Sequence, residues 1–249
     1  MYCNVLVIKP FDHTFTYKIK DDQKIKVGNI VNVPFGKKKD QIGIVYELCG
    51  NEIKKDNLFT IKTINFVYDS LFLNKNIIKF IDWIADYTLA PKGLVLKLFL
   101  INNNIVNHQI RDQEESIFKP KPVKLNSEQQ KAFHIIEKSL FKKSSPIVLE
   151  GVTGSGKTEV YFEAIEKVLK EKKQALIMLP EISLTPQLEL RFKERFGFSP
   201  DIWHSKIVQK KRKNIWHRCY RGNPLIVVGA RSSLFLPFKH LGIIVVDEE

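Results

Sequence analysis

Gly151-Val152-Thr153-Gly154-Ser155-Gly156-Lys157-Thr158-Glu159-Val160-Tyr161 is the stretch from which the fold of this 249-residue chain is read. Its first eight residues match the pattern GxxxxGK[ST], between the apolar run Ile147 to Leu149 and a segment where Val160, Tyr161, Ala164, Ile165, Val168 and Leu169 share one helical face. Strand, glycine loop and helix are the context the pattern requires. Glycines let the loop curl until successive backbone N–H groups point inward at a polyphosphate, with the positive end of the next helix behind them. Lys157 then brings mobile charge to the β- and γ-phosphates. The Thr158 hydroxyl is a ligand for Mg²⁺, which prefers oxygen and retains water. The cofactors predicted are ATP and Mg²⁺, with Gly151, Val152, Thr153, Gly154, Ser155, Gly156, Lys157 and Thr158 forming the cradle.

Downstream of this loop the text alternates between helix and strand. The patterns predict a strand over 146–150, a helix over 158–170, a strand over 174–179 and a helix over 186–196. A strand over 201–204, a helix over 208–220 and strands over 225–228 and 242–247 follow. Such alternation builds a mostly parallel sheet flanked by helices. The last strand carries four β-branched residues, Ile243 to Val246, and ends in acids. A buried parallel strand of this kind delivers carboxylates to the sheet's C-terminal edge, where substrates bind. Asp247 is therefore the candidate for Mg²⁺, usually through water, and Glu248 for orienting and deprotonating the water that attacks the γ-phosphate. On the upstream side, Ser127 with Gln130 three residues later has capping-box spacing and starts a helix through Leu140.

The first sixty-odd residues read differently. Apolar alternation over 2–9, 15–19, 29–35 and 41–48, interrupted by Asp21-Asp22 and the Gly36 loop, predicts short strands in a small barrel or sandwich. Ile77, Ile78, Ile81, Ile84 and Ala85 then mark a helix over 74–87, with Ala90-Pro91 and Gly93 ending the pattern. Residues 102–124 change character again, from asparagines through mixed charges to Lys119-Pro120-Lys121-Pro122, an extended interdomain linker. The fold class is thus α/β, with a small β-rich domain over 1–101, a linker over 102–124 and a P-loop lobe over 125–249.

Composition bounds the partners. With 44 % hydrophobic and 27 % charged residues, collagen-like, mucin-like and disordered classes are excluded. The formal charge of +13 points to an anionic partner, although 33 of the 40 basic residues are lysine and an AT-rich coding bias yields the same surplus. Cys3, Cys49 and Cys219 are odd in number and hold no CxxC pair, so neither a disulfide framework nor a zinc cluster is predicted. No basic segment followed by a long apolar run opens the chain, and no stretch approaches the length of a membrane span. A reducing cytosol without membrane contact is expected.

Taken in order, Gly151 to Tyr161, Leu179 to Gln187 (LPEISLTPQ), His204-Ser205, Val228 to Phe238 (VGARSSLFLPF) and Asp247-Glu248-Glu249 resemble the PriA family of primosomal replication-restart helicases, within superfamily 2. Thr14-Phe15-Thr16-Tyr17, Val33-Pro34-Phe35-Gly36 and Ala85-Asp86-Tyr87 extend the resemblance to the N-terminal DNA-binding domain. It covers about residues 1–100 and 125–249, the N-terminal part of such proteins.

The resemblance implies a RecA-like first lobe and an ATP-dependent helicase moving 3′ to 5′ on DNA and assembling a primosome at stalled forks. Its partners are then DNA (branched forks, single strands and 3′ ends), primosome proteins and single-strand-binding protein, in the nucleoid of a bacterial cytoplasm. By position, Gln129 is the adenine-reading glutamine, an amide that both donates and accepts. Thr185, Arg231 and Ser232 lie on the DNA path, as donors to phosphates that read no bases. Phe15, Thr16 and Tyr17 match the pocket for a 3′ end, the aromatics stacking on a terminal base. Thr16 stands where the family has an aspartate, a stronger acceptor, which weakens the expected selectivity for a 3′-hydroxyl. His204 lacks an acid partner at triad spacing and is not assigned to catalysis.

Two departures qualify that picture. The family carries a winged-helix domain where this chain has the 102–124 linker, too short for a folded domain. Its second lobe, completing arginines and zinc region have no counterpart in these residues, so the zinc sites lie outside this chain. An arginine finger contributes about 10³ to 10⁵ in rate. The 249 residues alone are therefore expected to hydrolyse ATP poorly and not to unwind DNA. The alternative is a degenerate DNA-end or nucleotide-binding module that does not turn over.

Overall fold

Alternating apolar residues place β1 (Tyr2–Val7), β2 (Phe15–Lys18), β3 (Asn29–Phe35), β4 (Lys39–Cys49) and β5 (Phe66–Phe72) in one antiparallel sheet, ordered β2-β1-β4-β3-β5. The computed structural model describes residues 1–36, 39–50, 60–100, 118–142, 145–180 and 186–247 and divides into two units, Met1–Gln109 and Ile110–Glu249. In the first unit Cys3, Val5, Val7, Tyr17, Val31, Val33 and Val45 turn the same way and form a core with Ile64 and Val67. Lys18 bridges to Thr63 in parallel, and its flanking N–H and C=O bonds go to Lys62 and Ile64. The edge at β2 thus meets the segment that leads into the opposite edge at β5, and the sheet curls toward closure.

Two elements of this unit were not foreseen. β5 reads poorly because Asp69 and Ser70 interrupt its alternation; both are exposed. α1 (Lys75–Thr88), capped by Asn74 accepting from the Ile77 N–H at 3.0 Å, ends before Ala90-Pro91 as the pattern predicts, with Leu89 in the left-handed region. What the pattern did not show is that Pro91 and Gly93 also start a second helix, α2 (Lys92–Leu100), where the Pro91 carbonyl accepts from the Leu94 and Val95 N–H groups. A helix start tolerates proline because the N–H it lacks has no intrahelical partner there. Gly93 lets α2 touch β1, since a Cβ there would lie 2.0 Å from the Lys9 carbonyl oxygen.

The second unit carries β6 (Gln174–Met178), β7 (Asp201–Trp203), β8 (Leu225–Gly229) and β9 (Leu241–Val246), all parallel, in the order β7-β8-β6-β9. Helices α3 (Ser127–Ser139), α4 (Lys157–Lys170), α5 (Pro186–Phe196) and α6 (Gln209–Arg221) accompany them. Phe162, Ile165 and Val168 of α4 and Phe192 and Phe196 of α5 pack on Ala175, Ile177, Ile226 and Val228. The capping box of α3 sits one residue earlier than the spacing predicted: Asn126 is the cap and Gln129 the reciprocal partner. Asn126 takes the role because its carboxamide reaches the Gln129 N–H at 2.9 Å.

The strand predicted over 146–150 is absent from the sheet. Residues 145 and 147–149 face Gly242 to Val246 of β9 across a cleft of about 720 Å³, and Val148 is 80 % exposed. Extended chain becomes a strand only with a ladder partner, and β9 pairs with β6 alone among the described strands. Part of the predicted linker is also more ordered than its prolines suggest. Lys119 and Lys121, the N–H donors that alternate with Pro120 and Pro122, give their hydrogens to the Phe196 and Arg195 carbonyls at 3.1 and 2.8 Å. These carbonyls belong to the last turn of α5, which lacks intrahelical partners for them.

Candidate functional site

The glycine loop has the backbone its composition demands. Gly154 and Gly156 both have φ of 81°, in the left-handed region where a Cβ is unfavourable. The Ser155 N–H closes a turn on the Val152 carbonyl at 3.1 Å. Gly156 also lies against Gln129, where an added Cβ would come 2.3 Å from Nε2. Gln129 Nε2 donates to the Ser155 carbonyl at 3.0 Å and its Oε1 accepts from the Asn126 N–H at 2.9 Å. The predicted adenine reader is thus engaged at both ends, tying the cap of α3 to the loop. α4 begins at Lys157 without a side-chain cap, leaving the positive end of the helix at the loop's floor. Lys157 Nζ donates to the Gly151 and Val152 carbonyls at 2.5 and 3.3 Å, lying across the cradle.

The acid at the end of β9 is brought to the same place. The Asp247 N–H donates to the Met178 carbonyl at 3.0 Å, which carries the β6 pairing one residue past the strand. Tyr161, one turn into α4 and 7 % exposed, donates its hydroxyl to Asp247 Oδ2 at 2.9 Å. The Thr158 hydroxyl in turn bonds to the Tyr161 phenol oxygen. Burial foremost, with the Asp247 charge adding to it and the Thr158 bond opposing it, pushes the Tyr161 phenol far above its ordinary value. Lys157, Tyr161 and Asp247 line one cleft. Its floor offers cation, hydroxyl and carboxylate, a donor set that fits a polyphosphate with a hard, oxygen-seeking metal ion. Glu248 lies outside the described residues.

Of the predicted DNA contacts on this unit, Thr185 also falls outside the described residues. Arg231 opens a short 3₁₀ helix, Arg231–Phe235, directly after β8, so it sits at the same C-terminal edge of the sheet as Asp247. Ser232 Oγ accepts from the Trp203 indole N–H at 3.2 Å, fastening that turn to the end of β7. His204 Nδ1 accepts from the Lys206 N–H at 3.2 Å, a local turn bond.

On the first unit the predicted trio separates. Phe15 joins Phe11, His13 and Phe35 in an aromatic cluster with ring centroids 4.7 to 5.3 Å from it. Tyr17 is buried and its hydroxyl goes to the Pro34 carbonyl at 3.2 Å, so it has no open face on which a base can stack. Thr16 points to the opposite side of β2, exposed, and donates to Asn4 Oδ1 at 2.9 Å. Asn4 Nδ2 donates onward to Glu47 Oε2 at 3.0 Å. Strand geometry makes this inevitable, because neighbours in a strand face opposite sides. The sequence reading missed Phe11 and His13, just ahead of β2, and Glu47, which comes near Thr16 only after β1 pairs with β2 and β4. It also placed Tyr161 as one more apolar-face residue.

Residues 4–101 match the family described as the PriA 3′DNA-binding domain, and residues 126–249 match the DEAD/DEAH box helicase family. Among similar proteins, replication restart protein PriA of Rickettsia conorii is 41 % identical over 235 residues, 94 % of this chain and 35 % of the relative. PriA of Bacillus subtilis is 44 % identical over 165 residues, 65 % of this chain and 20 % of that protein. PriA of Chlamydia muridarum is 27 % identical over 332 residues, covering 100 % of this chain and 44 % of the relative. The chain spans about a third of the length of the Rickettsia relative.

Proposed function

Because this chain belongs to the replication restart protein PriA family, we propose that it supplies the DNA-binding part and the first ATPase lobe of an ATP-driven helicase that travels 3′ to 5′ and reloads replication at stalled forks. The observation that carries this reading is the convergence of Lys157, at the end of the glycine loop, with Tyr161 and Asp247 on one cleft. Bound ATP supplies the phosphoanhydride whose cleavage drives movement. Lys157 leaves the Gly151 and Val152 carbonyls to neutralise the β- and γ-phosphates, while the loop's N–H groups and the start of α4 hold their oxygens. Thr158 and Asp247 hold Mg²⁺, and Glu248 orients the attacking water and takes its proton. Gln129 exchanges one of its two internal bonds for the adenine edge.

DNA is gripped through its backbone by Arg231, Ser232 and Thr185 at the sheet's C-terminal edge. An end of a strand is received on the first unit beside Phe15. Residues 1–101, 102–124 and 125–249 are the DNA-binding domain, the linker in place of a winged-helix domain and the ATPase lobe. The Rickettsia conorii alignment supports the short linker, since 235 aligned residues cover 94 % of this chain and leave no room for an inserted domain. The full protein's partners are branched DNA, single-strand-binding protein and primosome proteins, acting at the bacterial nucleoid.

A second reading has its own support. The 146–150 segment stands apart from the sheet, as suits a module that binds nucleotide without turnover. ATP hydrolysis by the 249-residue chain, with and without a 3′-tailed fork, separates the two. The helicase reading predicts slow hydrolysis that the fork accelerates and that Lys157→Ala abolishes. Nucleotide binding with no fork-dependent turnover at any DNA concentration contradicts it.

A further inference from the structure

We propose that Tyr161 is a positioning residue for the carboxylate that would hold Mg²⁺, its hydroxyl fixing the orientation of Asp247 through Oδ2. The assignment rests on the nucleotide reading above and adds to it a residue outside the glycine loop and the terminal acids. Three observations carry it.

First, Tyr161 packs in the core of the second unit beside Phe162, at 5.3 Å between ring centroids, a place where phenylalanine would pack equally well. A hydroxyl buried there is unfavourable unless it is bonded, so its presence calls for a bonding role. Second, Lys157, Thr158 and Tyr161 stand at i, i+1 and i+4 on α4. One rigid helix thus carries the phosphate-neutralising cation, a metal ligand and the tether for the opposing acid. The bond joins residues 86 apart in sequence and ties α4 to the end of β9, beside the backbone bond from Asp247 to Met178. Third, the tether is neutral. A lysine or arginine in its place would orient Asp247 equally well but cancel the charge that attracts the cation. The phenol donates a directed bond and leaves the carboxylate anionic. Outer groups that orient metal ligands act in this way at other metal sites.

The test is a titration of Mg²⁺ into the chain with a fluorescent ATP analogue, started in chelator, for wild type, Tyr161→Phe, Asp247→Asn and the double variant. Tyr161→Phe is expected to bind the metal-free analogue as wild type does and to need about tenfold more Mg²⁺ for half-saturation. In the Asp247→Asn background the same substitution should shift the Mg²⁺ midpoint no further. A midpoint equal to wild type in Tyr161→Phe overturns the assignment, as does an equal shift in both backgrounds, which marks a packing role. If wild type gains no affinity from Mg²⁺ at all, the nucleotide reading falls first and takes this assignment with it.

Discussion

Gly93 shows how much a single missing carbon decides. Its Cβ would lie 2.0 Å from the Lys9 oxygen and 2.4 Å from the Val7 oxygen, both backbone atoms of the first unit that cannot swing aside. Gly93→Ala is therefore expected to destabilise the first unit by roughly 2 to 3 kcal/mol, read as a lower denaturation midpoint by circular dichroism. An unchanged midpoint would mean that α2 does not meet β1 as described. Gly156 differs, because what its Cβ would meet is the far end of the Gln129 side chain. Gly156→Ala should leave the fold standing but lift Gln129 from the Ser155 carbonyl and strain the φ of 81°, weakening nucleotide binding about tenfold in the same fluorescence titration. The two glycines also mark what sequence can tell. The loop glycines announce themselves by spacing around Lys157. The need for glycine at position 93 arises only from the approach of a strand more than eighty residues away, so its composition read as a helix end.

At the scale of elements, the best-tied joint is the end of α5. Arg195, 4 % exposed, meets Glu163 and Glu166 at 2.7 Å each and also bonds to the Lys121 carbonyl. Glu166 is itself 6 % exposed, with Lys170 as its other partner at 2.7 Å. Removing the guanidinium leaves buried carboxylate charge behind. Arg195→Met should thus cost about 3 to 5 kcal/mol in urea unfolding of the second unit, far more than a surface pair. A loss below about 1 kcal/mol would show that the cluster is hydrated and the 118–124 segment loosely held. Asn126→Ala, which removes one half of the capping box, should cost about 1 kcal/mol in the same experiment. Helices with an apolar stripe, such as α1 and α4, and strands with unbroken apolar runs, such as β6 and β8, were legible because their period reports the face they bury. α2 was not: it is apolar nearly all round, so no stripe distinguishes it from a buried strand or a loop. The 146–150 segment failed the other way. Its apolar run has the letters of a strand, but pairing is a property of two segments and cannot be read from one.

For the whole molecule, charge and the division into two units set the behaviour. With 40 basic against 27 acidic side chains, DNA binding should weaken steeply and linearly in log[salt], measured by anisotropy of a labelled tailed duplex. An affinity indifferent to salt would contradict a backbone-directed grip. Of the proposed sites the glycine cradle was the most legible in the sequence, since its residues are contiguous. The proposed strand-end pocket was the least, since Phe15 and Thr16 are neighbours in sequence yet stand on opposite faces of β2, while Phe35 and Glu47 are brought in by β3 and β4. The account stands on Lys157 and the loop beneath it. Isothermal titration of Mg·ATP into the 249-residue chain and into Lys157→Ala is the direct measurement. A single site in the wild type that disappears in the variant, with the variant still binding tailed DNA, is the predicted result. Equal ATP affinity in both proteins would contradict it.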